Sequence, residues 1–296
     1  MKEENQTEKI LYLCGTPIGN LEDITIRAVN ILKEVDLIAA EDTRHTRKLL
    51  NHFQISTPVT SYYEHNQGEK APYLIEKIKC GTKVALVSDA GMPGISDPGY
   101  LLVKLALKHK IKVVAIPGVT ALITALVISG LPTNQFIFGG FLPRKSIERR
   151  RFLRQLTNED KTIIFYETPH RLLKALEDIL ELWGDRKIAL ARELTKRYEE
   201  VKRGTISQIL DILKKEEIRG EITLVIEGNP KAEKKMEEEI TSNNKIVVKF
   251  IQELKKEQYS SREIIRLTQE KFNLPRNIIY QKLLELKENL YTTNSK

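Results

Sequence analysis

The sixteen residues Val84–Gly99 constrain the fold more than any other stretch of the chain. They open with Val84-Ala-Leu-Val87, four apolar residues in a row. Such a run marks a strand buried on both faces, as in a parallel sheet covered by helices. It then breaks into Ser88-Asp-Ala-Gly-Met-Pro-Gly-Ile-Ser-Asp-Pro-Gly99. Three glycines and two prolines in that segment cannot continue a strand or begin a helix, so the backbone turns at the strand's carboxyl end. In open α/β sheets, ligands occupy the crevice beyond those ends. Gly91, Gly94 and Gly99 allow the main chain to approach a ligand closely, and Asp89 and Asp97 offer acceptors to ribose hydroxyls or a cation. On residues alone, a surface loop punctuated by Gly and Pro accounts for the same composition.

The same alternation recurs along the first half. Residues 1–8 are expected to form a disordered tail. Lys9–Cys14 reads as a strand ending at Gly15-Thr-Pro-Ile-Gly-Asn20. That loop has neither the G-x-G-x-x-G of dinucleotide sites nor the Gly-Lys-Ser/Thr of phosphate loops, which weakens the nicotinamide and ATP readings. Thr25–Glu34 is helical by its spacing of Val29, Leu32 and Val35. Asp36–Ala40 is a second strand, running directly into Glu41-Asp-Thr-Arg-His-Thr-Arg47. Thr43 is expected to cap the following helix. Glu41, Asp42 and Arg44 form either a polar cluster on the ligand side or a salt-bridged structural group. Val59–Tyr63 is a third strand, leading into a polar loop with His65. A helix over Gly99–Lys110, a strand over Lys112–Ile116 and the loop Pro117-Gly-Val-Thr-Ala121 come next. Residues 120–129 are small or apolar nearly throughout, so that helix is expected between layers. About five strand–loop–helix repeats call for a mostly parallel sheet with helices on both faces.

Gly130-Leu-Pro-Thr-Asn134 suits a boundary, giving an α/β domain over 9–130 and a second α/β domain over 131–229. The second carries strands at Phe136–Gly140, Lys161–Tyr166, Lys187–Leu194, Tyr198–Arg203 and Glu221–Glu227, with helices at Arg171–Leu182 and Ser207–Lys215. Between its first two strands lies a basic run, Arg144–Arg154, with six basic residues and one acid. Residues 230–243, charged and poor in apolar side chains, read as a linker. Three amphipathic helices are expected over 244–290. Ile246, Val247, Phe250, Ile251 and Leu254 line the first. Ser260-Ser-Arg-Glu263 is a capping-box start for the second. Pro275 opens the third, with the stripe Ile279, Leu283, Leu286 and Leu290. Such a trio can pack as a helix-turn-helix-like module, used for nucleic acid or simply as a small core.

The net charge of +8, from 48 basic against 40 acidic residues, is compatible with a nucleic-acid partner without requiring one. Two cysteines, Cys14 and Cys80, exclude a disulfide framework and a cysteine-based zinc cluster. No apolar run approaches 18 residues and the amino-terminal residues are polar. Neither a membrane span nor a secretory signal is expected, and the chain reads as cytoplasmic.

Residues 13–20 (Leu-Cys-Gly-Thr-Pro-Ile-Gly-Asn), Ala40-Glu-Asp-Thr-Arg44, residues 88–99 and Pro117–Ala121 stand in the order seen in the tetrapyrrole methylase superfamily. Phe165-Tyr-Glu-Thr-Pro-His-Arg171, Arg192-Glu-Leu-Thr-Lys196 and Arg203-Gly-Thr205 with Gly220-Glu221 extend the match. The chain resembles that superfamily over roughly residues 9–290, and within it the subfamily acting on small-subunit rRNA. The resemblance implies two α/β domains with S-adenosylmethionine in the cleft between them, no metal, and a homodimer. It also implies methyl transfer to the ribose 2′-oxygen of a decoding-centre cytidine in 16S rRNA, free or in the small ribosomal subunit. Carried onto this sequence, the loop of Gly15, Pro17 and Gly19 would form one wall, and Asp89 and Met92 would meet ribose and methionine. Thr120 and Ala121 would approach from a helix start, and Tyr166 would close the adenine side. Glu41, Asp42 and Glu193 are the expected proton acceptors. Arg44, Lys196 and Arg197 would hold phosphate or stabilise an alkoxide. The basic run and the tail would serve as an RNA footprint, with Tyr62, Tyr63 and Phe141 as stacking candidates. Methylation of a corrin-type small molecule and a non-catalytic rRNA-binding assembly role are the two alternatives.

Overall fold

The computed structural model describes residues 8–229, 244–272 and 274–293. The expected linker and all but the last residue of the expected amino-terminal tail fall outside these ranges. Strand β4 (Val84–Val87) lies in the middle of a five-stranded, wholly parallel sheet. Its neighbours are β1 (Ile10–Cys14) and β2 (Leu37–Ala40), flanked in turn by β5 (Lys112–Ile116) and β3 (Val59–Ser61). All four β4 residues are buried because alternate side chains enter opposite cores. Val84 and Leu86 pack against α3 (Gln67–Lys79) and α4 (Tyr100–Lys108) through Leu74, Ile75, Ile78, Leu102 and Ala106. Ala85 and Val87 face α1 (Ile26–Glu34) and α2 (Thr43–His52) through Ala28, Leu32 and Leu50.

Three details depart from the sequence reading. Thr43 is the first residue of α2, not its cap; the still-extended Asp42 caps it, its carboxylate accepting the Arg44 N–H at 2.8 Å. Helix α3 is an element the sequence reading passed over. Gly68 and Pro72 interrupt its pattern, yet Ala71, Leu74, Ile75 and Ile78 all turn inward on one stripe. Strand β3 ends at Ser61, and Tyr62 beyond it is fully buried in the core, which removes it as a stacking residue; Tyr63 is exposed.

The second sheet has the order β6-β7-β10-β8-β9, with β6 (Phe136–Phe141) and β7 (Thr162–Glu167) parallel. The antiparallel members are β10 (Ile222–Ile226), β8 (Lys187–Arg192) and β9 (Glu200–Thr205). One face, with Ile163, Phe165, Ile188, Leu190 and Leu224, is covered by α6 (Ser146–Gln155), α7 (Pro169–Trp183) and α8 (Ile206–Leu213). The opposite face, with Ile164, Ala189, Ala191 and Val225, receives α5 (Ala121–Ser129) through Leu122, Ala125 and Leu126. The helix is not buried between two layers as expected for residues 120–129: one side packs on this sheet, while Ile123 and Val127 are exposed. Within the basic run, Arg149 is buried against Asp178 at 2.6 Å, and Arg150 reaches Asp178 at 2.8 Å and also pairs with Glu181. Those two arginines tie α6 to α7. Arg144, Lys145, Arg151 and Arg154 remain exposed.

The tail, taken by itself, comprises the helices Asn244–Lys256, Ser261–Phe272 and Arg276–Thr293. Val247, Ile251, Leu254, Ile264, Ile265, Ile279 and Leu283 form its core; the Leu290 side chain lies outside the described residues. The capping box is made: Glu263 accepts the Ser260 N–H at 2.9 Å, and the Ser260 hydroxyl accepts the Glu263 N–H at 3.4 Å. Among the described residues no helix is long and apolar enough to cross a membrane.

Candidate active site

The carboxyl ends of β2, β4 and β5 face the end of β7 and the start of β10 across a cleft of about 310 Å³. That volume lies within the ~300–1,000 Å³ of small-ligand sites. Its first wall is built by close backbone packing. Thr16 and Gly91 exchange hydrogen bonds of 2.9 and 3.0 Å. A Cβ on Gly15 would stand 2.7 Å from the Gly118 Cα and 2.8 Å from the Met92 sulfur, so only glycine lets the three loops converge there. Gly91 itself needs its left-handed φ of +86°.

Asp89, Met92, Thr120, Ala121 and Tyr166 all line this cleft, as does Glu41. Gly15 acts behind the wall, through the packing just described. Pro17 and Gly19 line an adjoining hollow of about 480 Å³, together with Lys196, His45 and Lys48. Ile18, Asp89, Ala90 and Glu221 border both spaces. The Tyr166 hydroxyl accepts the Leu122 N–H at 3.2 Å, joining β7 to the first turn of α5. Its ring meets Phe138 and Phe141 edge-on at 4.9 and 5.5 Å. Burial pushes its phenol up to about 12.

Five carboxylates line the cleft, of which Glu41, Asp89 and Asp97 come from the side of the first sheet. Asp89 accepts the Asp42 N–H at 2.9 Å through Oδ1, which locks the loop after β4 to the start of α2. Burial, then the neighbouring Asp89, raises Glu41 above the ordinary carboxylate range. Asp97 is pushed up to about 7, by burial first and then by Glu41, against a hydrogen bond from Ser88 that acts the other way. The remaining charged candidates sit outside the cleft lining. Asp42 is held low by its hydrogen bonds from the Arg44 side chain and N–H, and Arg44 is exposed. Burial raises Glu193, but hydrogen bonds from the Glu221 N–H at 2.8 Å and from Lys196 at 2.9 Å outweigh it and hold the carboxylate low. Lys196 also pairs with Glu221 at 3.1 Å.

The second sheet contributes lining that sequence reasoning missed: Phe141 as a cleft residue, Thr168, Pro169, Glu221 and Thr223. Asp97 was visible as a loop acceptor but not as a member of a carboxylate trio. Buried Glu167 sets the rim, accepting the Thr168 N–H at 2.7 Å and pairing with Arg171 at 2.9 Å.

Residues 10–210 match the tetrapyrrole (corrin/porphyrin) methylase family. The chain belongs to that family. A relative from Halalkalibacterium halodurans named ribosomal RNA small subunit methyltransferase I is 46% identical over 94% of this chain and 96% of its own length. A Thermotoga maritima protein of the same name is 50% identical over 218 residues, which make up 74% of this chain and 98% of that protein. In structure, the uroporphyrin-III C-methyltransferase of Thermus thermophilus, solved with S-adenosylhomocysteine, superposes with a TM-score of 0.53 at 21% identity. That match covers 73% of this chain and 96% of the other, and shows the tetrapyrrole methylase fold.

Tetrapyrrole methylases use S-adenosylmethionine. The residues present fit such a molecule. Ile18, Ala90, Met92, Ile95, Phe141 and Ile222 supply apolar wall, suited to a purine and a thioether chain. Glu41, Asp89 and Asp97 supply acceptors for ribose hydroxyls and negative charge for a sulfonium. Convergent glycine backbones at Gly15, Gly118 and Gly91 make room for both.

Proposed function

We propose that the protein transfers a methyl group from S-adenosylmethionine to the ribose 2′-oxygen of a decoding-centre cytidine in 16S rRNA. In this reading it works in the cytoplasm as a homodimer, on rRNA or the small ribosomal subunit. The observation that carries the reading is the acidic, glycine-walled cleft, in a chain whose 46%-identical relative is an rRNA methyltransferase by name.

Asp89, Met92, Thr120, Ala121 and Tyr166 would hold the cofactor, with the loop of Gly15, Pro17 and Gly19 closing one side. When bound, the cofactor supplies a methyl group already activated by its positively charged sulfur. The protein's task is then to align a ribose oxygen and take up a weakly acidic proton, so positioning dominates and base catalysis adds to it. Of the expected proton acceptors, Glu41 faces the cleft and is the one whose carboxyl is raised toward the working pH range. The oxygens of Asp42 and Glu193 are engaged by Arg44, Lys196 and backbone N–H groups. Those two carboxylates serve better as positioning residues for α2 and for Lys196. Arg44, exposed on α2 and paired with Asp42, is kept as a phosphate contact.

The test is transfer of radiolabelled methyl to naked 16S rRNA, to assembled small subunits lacking the modification, or to a tetrapyrrole. Label at a cytidine 2′-oxygen is expected. Label in the tetrapyrrole overturns the assignment, and RNA binding with no label anywhere supports a non-catalytic assembly role.

A further inference from the structure

The hollow beside the cleft is the larger of the two, about 480 Å³ against 310 Å³. Its charge is uneven. Carboxylates stand at the junction with the cleft, in Asp89 and Glu221. The side of α2 carries a lysine, Lys48, one turn from the polar His45 on the same helix face. Both are exposed, and among the described residues neither side chain has an ion-pair or hydrogen-bond partner. Lys196 lines the same hollow, but Glu193 and Glu221 already neutralise it. Thr46, between His45 and Lys48 in sequence, lines the hollow while only 2% exposed, and its buried hydroxyl lacks a partner.

We propose that this hollow seats the sugar-phosphate backbone of the RNA substrate, with a phosphate next to the target ribose held by His45 and Lys48. The proposal rests on the RNA-methylating reading above. An exposed lysine usually serves only solvation, but this one borders a preformed void and leaves its charge unmatched. The gradient also orients a strand. A phosphate is repelled from Asp89 and attracted to Lys48 on the α2 side, while Glu221 is matched by Lys196. A ribose hydroxyl, a neutral donor, is accepted at the carboxylate side, where the hollow shares its lining with the cleft that Glu41 borders. Bound this way, the polymer enters past α2 and presents its sugar to the cofactor side at the shared border of Ile18 and Ala90.

The test compares the wild-type chain with His45→Ala/Lys48→Ala and with Lys48→Arg, each checked for folding by circular dichroism. Three quantities are read: KM for small-subunit rRNA, the slope of log affinity for 16S rRNA against log salt, and the affinity for S-adenosylhomocysteine. The double variant is expected to raise KM on the order of tenfold. It should also flatten the slope by about 0.7, the increment for one phosphate neutralised on a single strand. Its S-adenosylhomocysteine affinity is expected to stay within twofold, and Lys48→Arg to resemble wild type. If wild type methylates rRNA while the double variant keeps its KM and salt slope, the hollow does not seat RNA and the activity reading stands. A parallel loss of S-adenosylhomocysteine affinity also overturns the proposal, because the hollow then belongs to the cofactor. If wild type labels a tetrapyrrole and no RNA, the underlying reading fails and this proposal with it.

Discussion

Asp97 should make cofactor affinity depend on pH in a direction that follows from its surroundings. Its half-buried carboxyl faces Glu41, Asp89 and the Tyr166 ring, and is pushed up to about 7 by burial and by Glu41. S-adenosylmethionine carries net positive charge, so it binds the ionised cleft better than the protonated one. With a pKa of about 7, the ionised fraction rises from about one-tenth at pH 6 to about nine-tenths at pH 8. Affinity should therefore rise about tenfold over that interval, or about 1.4 kcal/mol. The folding equilibrium carries the opposite sign. An acid whose native pKa is raised keeps a proton that the unfolded chain releases, so stability falls as pH climbs from about 4 to about 7. Asp97→Asn removes the titrating group and should flatten both curves. Calorimetric titration with S-adenosylmethionine from pH 6 to pH 8 at constant ionic strength reads the first, and urea unfolding from about pH 4 to about pH 8 reads the second. The reasoning is refuted if wild-type affinity is level or falls between pH 6 and pH 8, or if Asp97→Asn retains the wild-type slope.

Three further outcomes test other parts of the structure. Gly118→Ala places a Cβ 2.8 Å from the Gly15 Cα, backbone against backbone; it should cost about 1–3 kcal/mol by overpacking and weaken S-adenosylhomocysteine binding, read by thermal melting and titration. Asp178→Ala strands the buried Arg149 guanidinium and should destabilise by about 3–5 kcal/mol. The neighbouring exposed Arg151→Ala should stay within about 0.5 kcal/mol, and equal effects in urea unfolding would contradict the ion-pair assignment. Truncation after Asn229 should lower rRNA affinity more than S-adenosylhomocysteine affinity in paired titrations, since every cleft residue precedes that position.

Legibility followed the range of the interactions. Strand β4 could be read directly because double-sided burial leaves a local mark, four apolar residues and then a glycine-rich turn. Asp89 could be read from the same loop as an acceptor, whereas Met92 came only through the resemblance to the superfamily. Helix α3 could not, because its stripe from Ala71 to Ile78 is broken by Pro72 and begins beside Gly68. The second-sheet lining was equally hidden. Glu221 and Thr223 reach the cleft only because β10 runs antiparallel to β7, setting Ile222 opposite Glu167 and Thr223 opposite Tyr166. Arg149 shows how a charge run misleads: its partner Asp178 lies on the next helix, 29 residues on, and nothing local marks that arginine as buried.

Helix α5 precedes the second sheet in the chain, yet its apolar side packs on Ile164, Ala189 and Val225. On a translating ribosome it therefore emerges well before its partners. At roughly 5–20 residues per second, the hundred or so residues that follow take about 5–20 seconds to appear. For that interval Leu122, Ala125 and Leu126 lack the second-sheet part of their native contacts, which leaves apolar surface exposed on the nascent chain. A gene split at 130–134 should accordingly yield two fragments that stay in solution only when co-expressed.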